Sequence, residues 1–354
     1  MNTPVTDVKK LYGQSKKKKI LIILGLVLAL MLTALVSISL GAASPTLPSA
    51  VQVILSKCLP FLNLPPGSEL DQTVIWLFRL PRIILAIVAG AGLAVAGATM
   101  QGILRNPLVS SYILGVSSAA GFGAALAIVF GIGLVGFYGQ YLVIGNAFIF
   151  CLLAMTLVYL IARIRGMKVE TVILAGVAVG FLFSALLSLM QYLAPQPNAL
   201  NAIAFWLMGG LFNANWDTIL ICAPIVAVTV LLMLFQAWNI NIMSMGEDVA
   251  VSLGINTKRV LATNMILETI ATATIIAFTG IIGFVDLIAP HIARMLIGND
   301  HRYLILCSAV LGSLMLLSAD TIGRLIIMPA ELPVGIVTSL LGVPFFIYLL
   351  IRKR

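Results

Sequence analysis

The chain has 354 residues, 61% of them hydrophobic and only 9% charged, with a formal net charge of +9. Together with a mean hydropathy of +1.13, this composition excludes a soluble globular domain and points to an all-α polytopic membrane protein. The positive charge does not mark a nucleic-acid binder, because most basic residues fall in loops that can share one side of a membrane.

In chain order, residues 1–19 form a polar N-terminal segment ending in the run Lys16 to Lys19. The apolar stretch that follows, about 20–41, is too long for a signal-peptide core of about 7–15 residues. It reads as the first transmembrane helix, although Ala42-Ala43-Ser44 resembles a cleavage site. Nine further apolar segments lie near 82–104, 112–135, 141–162, 169–193, 217–238, 260–281, 284–297, 303–323 and 333–351. A spanning helix needs about 20 residues, so 284–297 is too short to cross unaided. It carries Asp286, Pro290, His291 and Arg294, and must be buried among protein neighbours. These polar groups are expected to satisfy one another or nearby backbone.

Ten crossings place seventeen of the 21 basic residues on one side and leave Lys57, Arg79, Arg82 and Arg324 on the other. By the positive-inside rule both termini, and the loop near 239–259, are then cytoplasmic. The proline-rich stretch 42–81 reads as an ordered external connection. The stretch 194–216, with Phe205 and Trp206, reads as a second one. The four cysteines show neither metal-ligand nor disulfide spacing.

The polar interval Gly246-Glu247-Asp248-Val249-Ala250-Val251-Ser252-Leu253-Gly254 cannot span a membrane. Glu247 and Asp248 suit the positive end of a short surface helix. Val249 and Leu253 share one face, beside the small Ala250, where another surface can approach closely. Gly254 is placed to end the helix in a left-handed conformation. A polar surface loop is the plainer alternative. Glu268 lies well inside a span, and Asp320 stands one turn before Arg324, which makes that pair the simplest account of both. No G-x-x-x-x-G-K-[ST] phosphate loop occurs in the chain, so it cannot supply the usual P-loop ATP site, and energy must come from another subunit.

Gly246-Glu247, Ala250 and Leu253-Gly254 resemble the cytoplasmic coupling loop of ABC importer permeases. The match is closest to the FecCD-type family, which imports iron–siderophore complexes, haem and cobalamin. Further stretches fit the same family from residue 79 onward. They are Arg79-Leu80-Pro81-Arg82, Asn106-Pro107-Leu108, Met208-Gly209-Gly210, Pro290-His291, Asp300-His301-Arg302, Ala319-Asp320 and Glu331-Leu332-Pro333-Val334-Gly335. The sequence departs from the family at Ser110-Ser111, and at Val169-Glu170 in place of a small polar pair.

The resemblance implies one transmembrane domain over 20–354 with the type II importer permease fold, in the cell membrane, working as a pair of identical or closely related copies. It implies that Gly246, Glu247, Ala250, Leu253 and Gly254 couple to an ABC ATPase, present in two copies. It further implies that Arg79, Arg82 and Arg324 receive carboxylates of a substrate-binding protein, and that Val169 and Glu170 lie at a cytoplasmic gate. No cofactor, metal or enzymatic activity of its own is implied. The cargo is an iron complex or cobalamin. Two alternatives are an ion-coupled secondary transporter working through Glu268 or Asp320, and an ATPase-free channel or scaffold.

Overall fold

A computed structural model describes residues 5–41, 43, 45–133 and 139–352. Within them every regular element is helical. The helices are α1 (Val5–Ser39), α2 (Leu47–Cys58), α3 (Glu69–Gln72), α4 (Leu80–Ile103), α5 (Val116–Phe130), α6 (Gln140–Ile164), α7 (Val169–Leu193) and α8 (Pro197–Leu207). They continue with α9 (Trp216–Phe235), α10 (Ala237–Ser244), α11 (Glu247–Ser252), α12 (Thr257–Thr279), α13 (Val285–Ile297), α14 (His301–Leu325) and α15 (Val334–Arg352). Seven helical stretches among the described residues are long and apolar enough to cross a membrane, and α5 and α15 are shorter apolar helices. With the 13-residue α13, each of the ten apolar segments has become a helix.

The helix α1 runs without a break through residues 5–19, which contain no proline to stop it. Two further features go beyond the sequence expectation and have physical causes. The helix leading into α4 begins at Glu69, and its turns between Thr73 and Arg79 are widened to π geometry. Pro81 brings no N–H to the ladder, and the Leu80 N–H reaches back five residues to Ile75 O. The two external connections also contain α2 and α8. Each is too short to register as a span, and each enters its helix with a proline in the first turn.

The centre of the bundle is α4 against α14 and α12. These helices approach closely because small residues face each other, as membrane packing demands where lipid supplies no hydrophobic drive. A Cβ on Gly90 would sit 2.3 Å from Gly312 O, and one on Gly312 would sit 2.2 Å from Gly90 O. A Cβ on Gly97 would meet Asp286 O at 1.8 Å, so α13 lies directly on α4. This is how so short a helix is accommodated. By contrast α1 turns Leu21, Leu24, Leu28 and Met31 outward, the lipid-facing surface of a peripheral helix.

Gly312→Leu is therefore expected to force α4 and α14 apart and lower stability in detergent by at least about 2 kcal/mol. Gly25→Ala, with no atom within 4 Å of the new Cβ, is expected to be neutral. Thermal unfolding of both variants checks the pair.

The antiparallel α4 and α14 define two ends. At one, Arg82 of α4 meets Asp320 of α14. At the other, Gly102 of α4 lies against His301 of α14.

Candidate functional site

The first end holds the three arginines that the positive-inside count leaves apart. Buried Asp320 bridges two of them, accepting from Arg82 Nε at 2.8 Å and from Arg324 Nε at 3.1 Å. Arg82 Nη1 donates to Glu331 Oε2 at 2.6 Å, and its guanidinium lies over the Phe212 ring, 5.5 Å from the centroid. Arg82 Nη2 is buried without a hydrogen-bond partner. Arg324 spends its other nitrogens on the end of α1, at Ser37 Oγ (2.6 Å), and just past it, at Leu40 O (3.0 Å). Arg79 Nη1 reaches Ile38 O. The three guanidiniums line a cavity of about 280 Å³ with Phe212, Met328 and Glu331. Arg79 and Arg324 are buried and Arg82 is largely so, and each hydrogen-bonds within the chain rather than extending toward lipid headgroups. Asp320 pairs with Arg324 as the spacing indicates, but its shorter bond is to Arg82, 238 residues away in sequence.

The opposite end carries the polar loop, now a short helix. Gly246, at φ +131°, admits the chain into α11. The exit closes with Gly254 at φ +80° and two bonds, Gly254 N to Val251 O and Ile255 N to Ala250 O, both 2.9 Å. This is a Schellman ending, which requires a residue tolerant of the left-handed region at Gly254. Ala250 is the small residue that lets another surface approach closely, and here that surface belongs to the same chain. It is fully buried in the core of this chain, and the close approach it permits is that of α11 to its own bundle. Val249, Val251 and Leu253 are exposed instead. Glu247 accepts a 3.3 Å bond from Thr257 Oγ1, and lines a narrow cleft with Val169, Arg105 and Lys258. Val169 is thus brought beside the loop, whereas Glu170 is exposed at the first turn of α7.

Asn241 of α10 joins this end to α14, a connection that no local sequence signal announces. Its Nδ2 donates to Asp300 Oδ1 at 2.9 Å, and its Oδ1 takes the His301 N–H at 2.8 Å. Asp300 also caps α14, and hydrogen bonding from Arg302 draws its carboxyl down to about 2.

Between the ends, Glu268 and Asp286 are brought together by Ser111. Ser111 Oγ donates to Glu268 Oε1 at 2.7 Å, and Ser111 N to Asp286 Oδ2 at 2.9 Å. Thr269 and Thr272 also face Glu268. Arg294, expected near Asp286, instead reaches Gln101 Oε1. Asp286 borders a cavity of about 720 Å³, lined by Tyr112, Met208, Phe284, Ile336 and Ser339 among others. A junction between the segments around Gly209, Thr279 and Gly335 lies beside it. Gly210 N donates to Thr279 O at 2.7 Å and Gly335 N to Gly209 O at 3.2 Å, satisfying groups that lipid could not. A Cβ on Gly335 would meet Met208 O at 2.1 Å, so the motifs around Gly209 and Gly335 meet here.

This arrangement defines a multi-pass membrane protein with a polar structured end, an arginine-lined end and a cavity between them. The model of the FecCD transport family matches residues 29–352, and the chain belongs to that family. It is 38% identical to the hemin transport system permease protein of Yersinia pestis, over 79% of this chain and 84% of the relative. It is also 38% identical to the cobalamin import system permease protein of Halobacterium salinarum, over 80% and 74% respectively. A metal-chelate type ABC transporter solved in an inward-facing conformation superposes with a TM-score of 0.82 at 34% identity, covering 94% of this chain and 99% of that one.

Proposed function

We propose that the chain is the transmembrane permease subunit of an ATP-driven ABC importer for a metal chelate, an iron complex or cobalamin. The observation that carries this reading is α11: a short helix rigidly capped at its exit, anchored inward by Ala250 and presenting Val249, Val251 and Leu253 at an otherwise polar end. Exposed apolar residues rimmed by charge mark a protein contact, and in this family setting the partner is the ATPase subunit. The end bearing α11 faces the cytoplasm, with both termini, and the arginine cavity faces the binding protein. A second copy closes the central cavity along exposed faces of α7 and α15, where Phe181 and Leu340 stand out from the bundle. Val169, in the cleft with Glu247, places the start of α7 where movement of α11 is felt. Glu268 bonds three neighbouring hydroxyls and borders neither the arginine cavity nor the central one, which favours ATP coupling over a relay through this acid.

Proteoliposomes containing the permease, its ATPase and its binding protein, offered radiolabelled ferric siderophore, haem and cobalamin in parallel, test the cargo. Accumulation of one of the three is expected. Accumulation of none, with ATP inside, contradicts the assignment.

A further inference from the structure

The arginine cavity already contains a carboxylate of this chain. Arg82 uses Nε for Asp320, which leaves Nη1 and Nη2 as an end-on fork of the kind that grips a carboxylate with two bonds. Glu331 occupies only one prong, and Nη2 is buried and unpartnered. The fork is half filled.

The two acids on Arg82 differ in a way that matters. Asp320 is fully buried and shared with Arg324, so removing it strands two cations. Glu331 is 36% exposed in its side chain, and Arg82 is its one hydrogen-bond partner among the described residues. Glu331 is thus the solvent-facing member of the pair, the side from which a competing carboxylate can approach. Glu331 also stands in the turn between α14 and α15. Leu332 N donates to Gly323 O at 3.0 Å, and three residues later Gly335 N donates to Gly209 O at 3.2 Å. Gly335 and Ile336 line the central cavity. The turn therefore runs directly from the arginine fork to the cavity wall.

We propose that Glu331 is a placeholder carboxylate. It neutralises Arg82 while no partner is docked. An incoming carboxylate of the substrate-binding protein displaces the partly exposed Glu331 from Nη1, gains the buried Nη2 as Glu331 leaves, and completes the fork. Release of Glu331 frees the turn at the start of α15 and reports docking to the cavity. This rests on the docking reading of the arginine cavity, and the test separates the two.

The permease–ATPase complex is placed in nanodiscs, and its affinity for the substrate-binding protein that supports uptake in proteoliposomes is measured, with ATPase stimulation as a second readout. Glu331→Gln keeps the shape and removes the competitor. Docking is expected to tighten roughly two- to fivefold, and stimulation by the docked protein is expected to fall because the turn is already released. A purely structural glutamate would give weaker docking instead. Arg82→Gln is expected to weaken docking at least about tenfold, and Arg79→Gln replaces it if that variant does not fold. Unchanged or weaker docking in Glu331→Gln, with weakened docking in the arginine variant, overturns the placeholder and leaves the docking site. Unchanged docking in the arginine variant overturns both.

Discussion

Glu247→Arg is expected to abolish ATP-dependent uptake while the protein still inserts and unfolds at nearly the wild-type temperature. The asymmetry follows from where Glu247 stands. Its exposed side chain makes one long bond, 3.3 Å from Thr257 Oγ1, in the first turn of α11. Losing a favourable helix-dipole interaction there costs about 0.3–1 kcal/mol, too little to unfold the bundle. The interface effect is much larger. Glu247 shares its cleft with Arg105 and Lys258, and reversal would leave three cations together on the face offered to the ATPase. Like-charge juxtaposition at an interface costs several kcal/mol, or about a hundredfold or more in productive coupling. Uptake by the variant in proteoliposomes, beside its melting curve, checks both halves. Wild-type uptake would remove α11 from the coupling account.

Asp320→Ala is expected to be the most destabilising change among the buried charges. Asp320 is fully buried between Arg82 and Arg324, and breaking a buried ion pair by removing one partner costs about 3–5 kcal/mol. Arg82 retains Glu331, but Arg324 keeps only hydroxyl and carbonyl acceptors at the end of α1 and just past it. A triple variant, Asp320→Leu with Arg82→Met and Arg324→Met, removes the stranded cations with the acid and is expected to regain most of the lost stability. Thermal unfolding in detergent measures both. A loss below about 1 kcal/mol in Asp320→Ala would mean the arginines find other acceptors, against the triad described above.

Much of this protein was legible because a membrane span must be long and apolar. That requirement located nine helices, and α13 was found as a shorter apolar run that the placement of the basic residues required to cross, its shortness and polar residues indicating burial before Gly97 was seen beneath Asp286. The short α11 was legible from Gly246, the acidic first turn and Gly254, since capping is written within a few residues. What escaped depends on packing between distant segments. The Arg82–Asp320 bond joins residues 238 apart, and the Ser111–Asp286 bond joins residues 175 apart. Neither leaves a local pattern. Which surface approaches Ala250 was not legible, because a small residue on a short helix permits close approach on either side and only the bundle decides which. The helices α2 and α8 were missed because their apolar faces are short and lie in loops.

The central claim is that transport through this permease is powered by ATP on a separate subunit. The direct measurement loads ATP, or no nucleotide, inside proteoliposomes containing the permease, the ATPase and the binding protein, with an imposed pH gradient as a third arm. Cargo accumulation only with internal ATP is the predicted result. Accumulation driven by the pH gradient, without the ATPase, would contradict the account and move the energy source to the acids around Ser111.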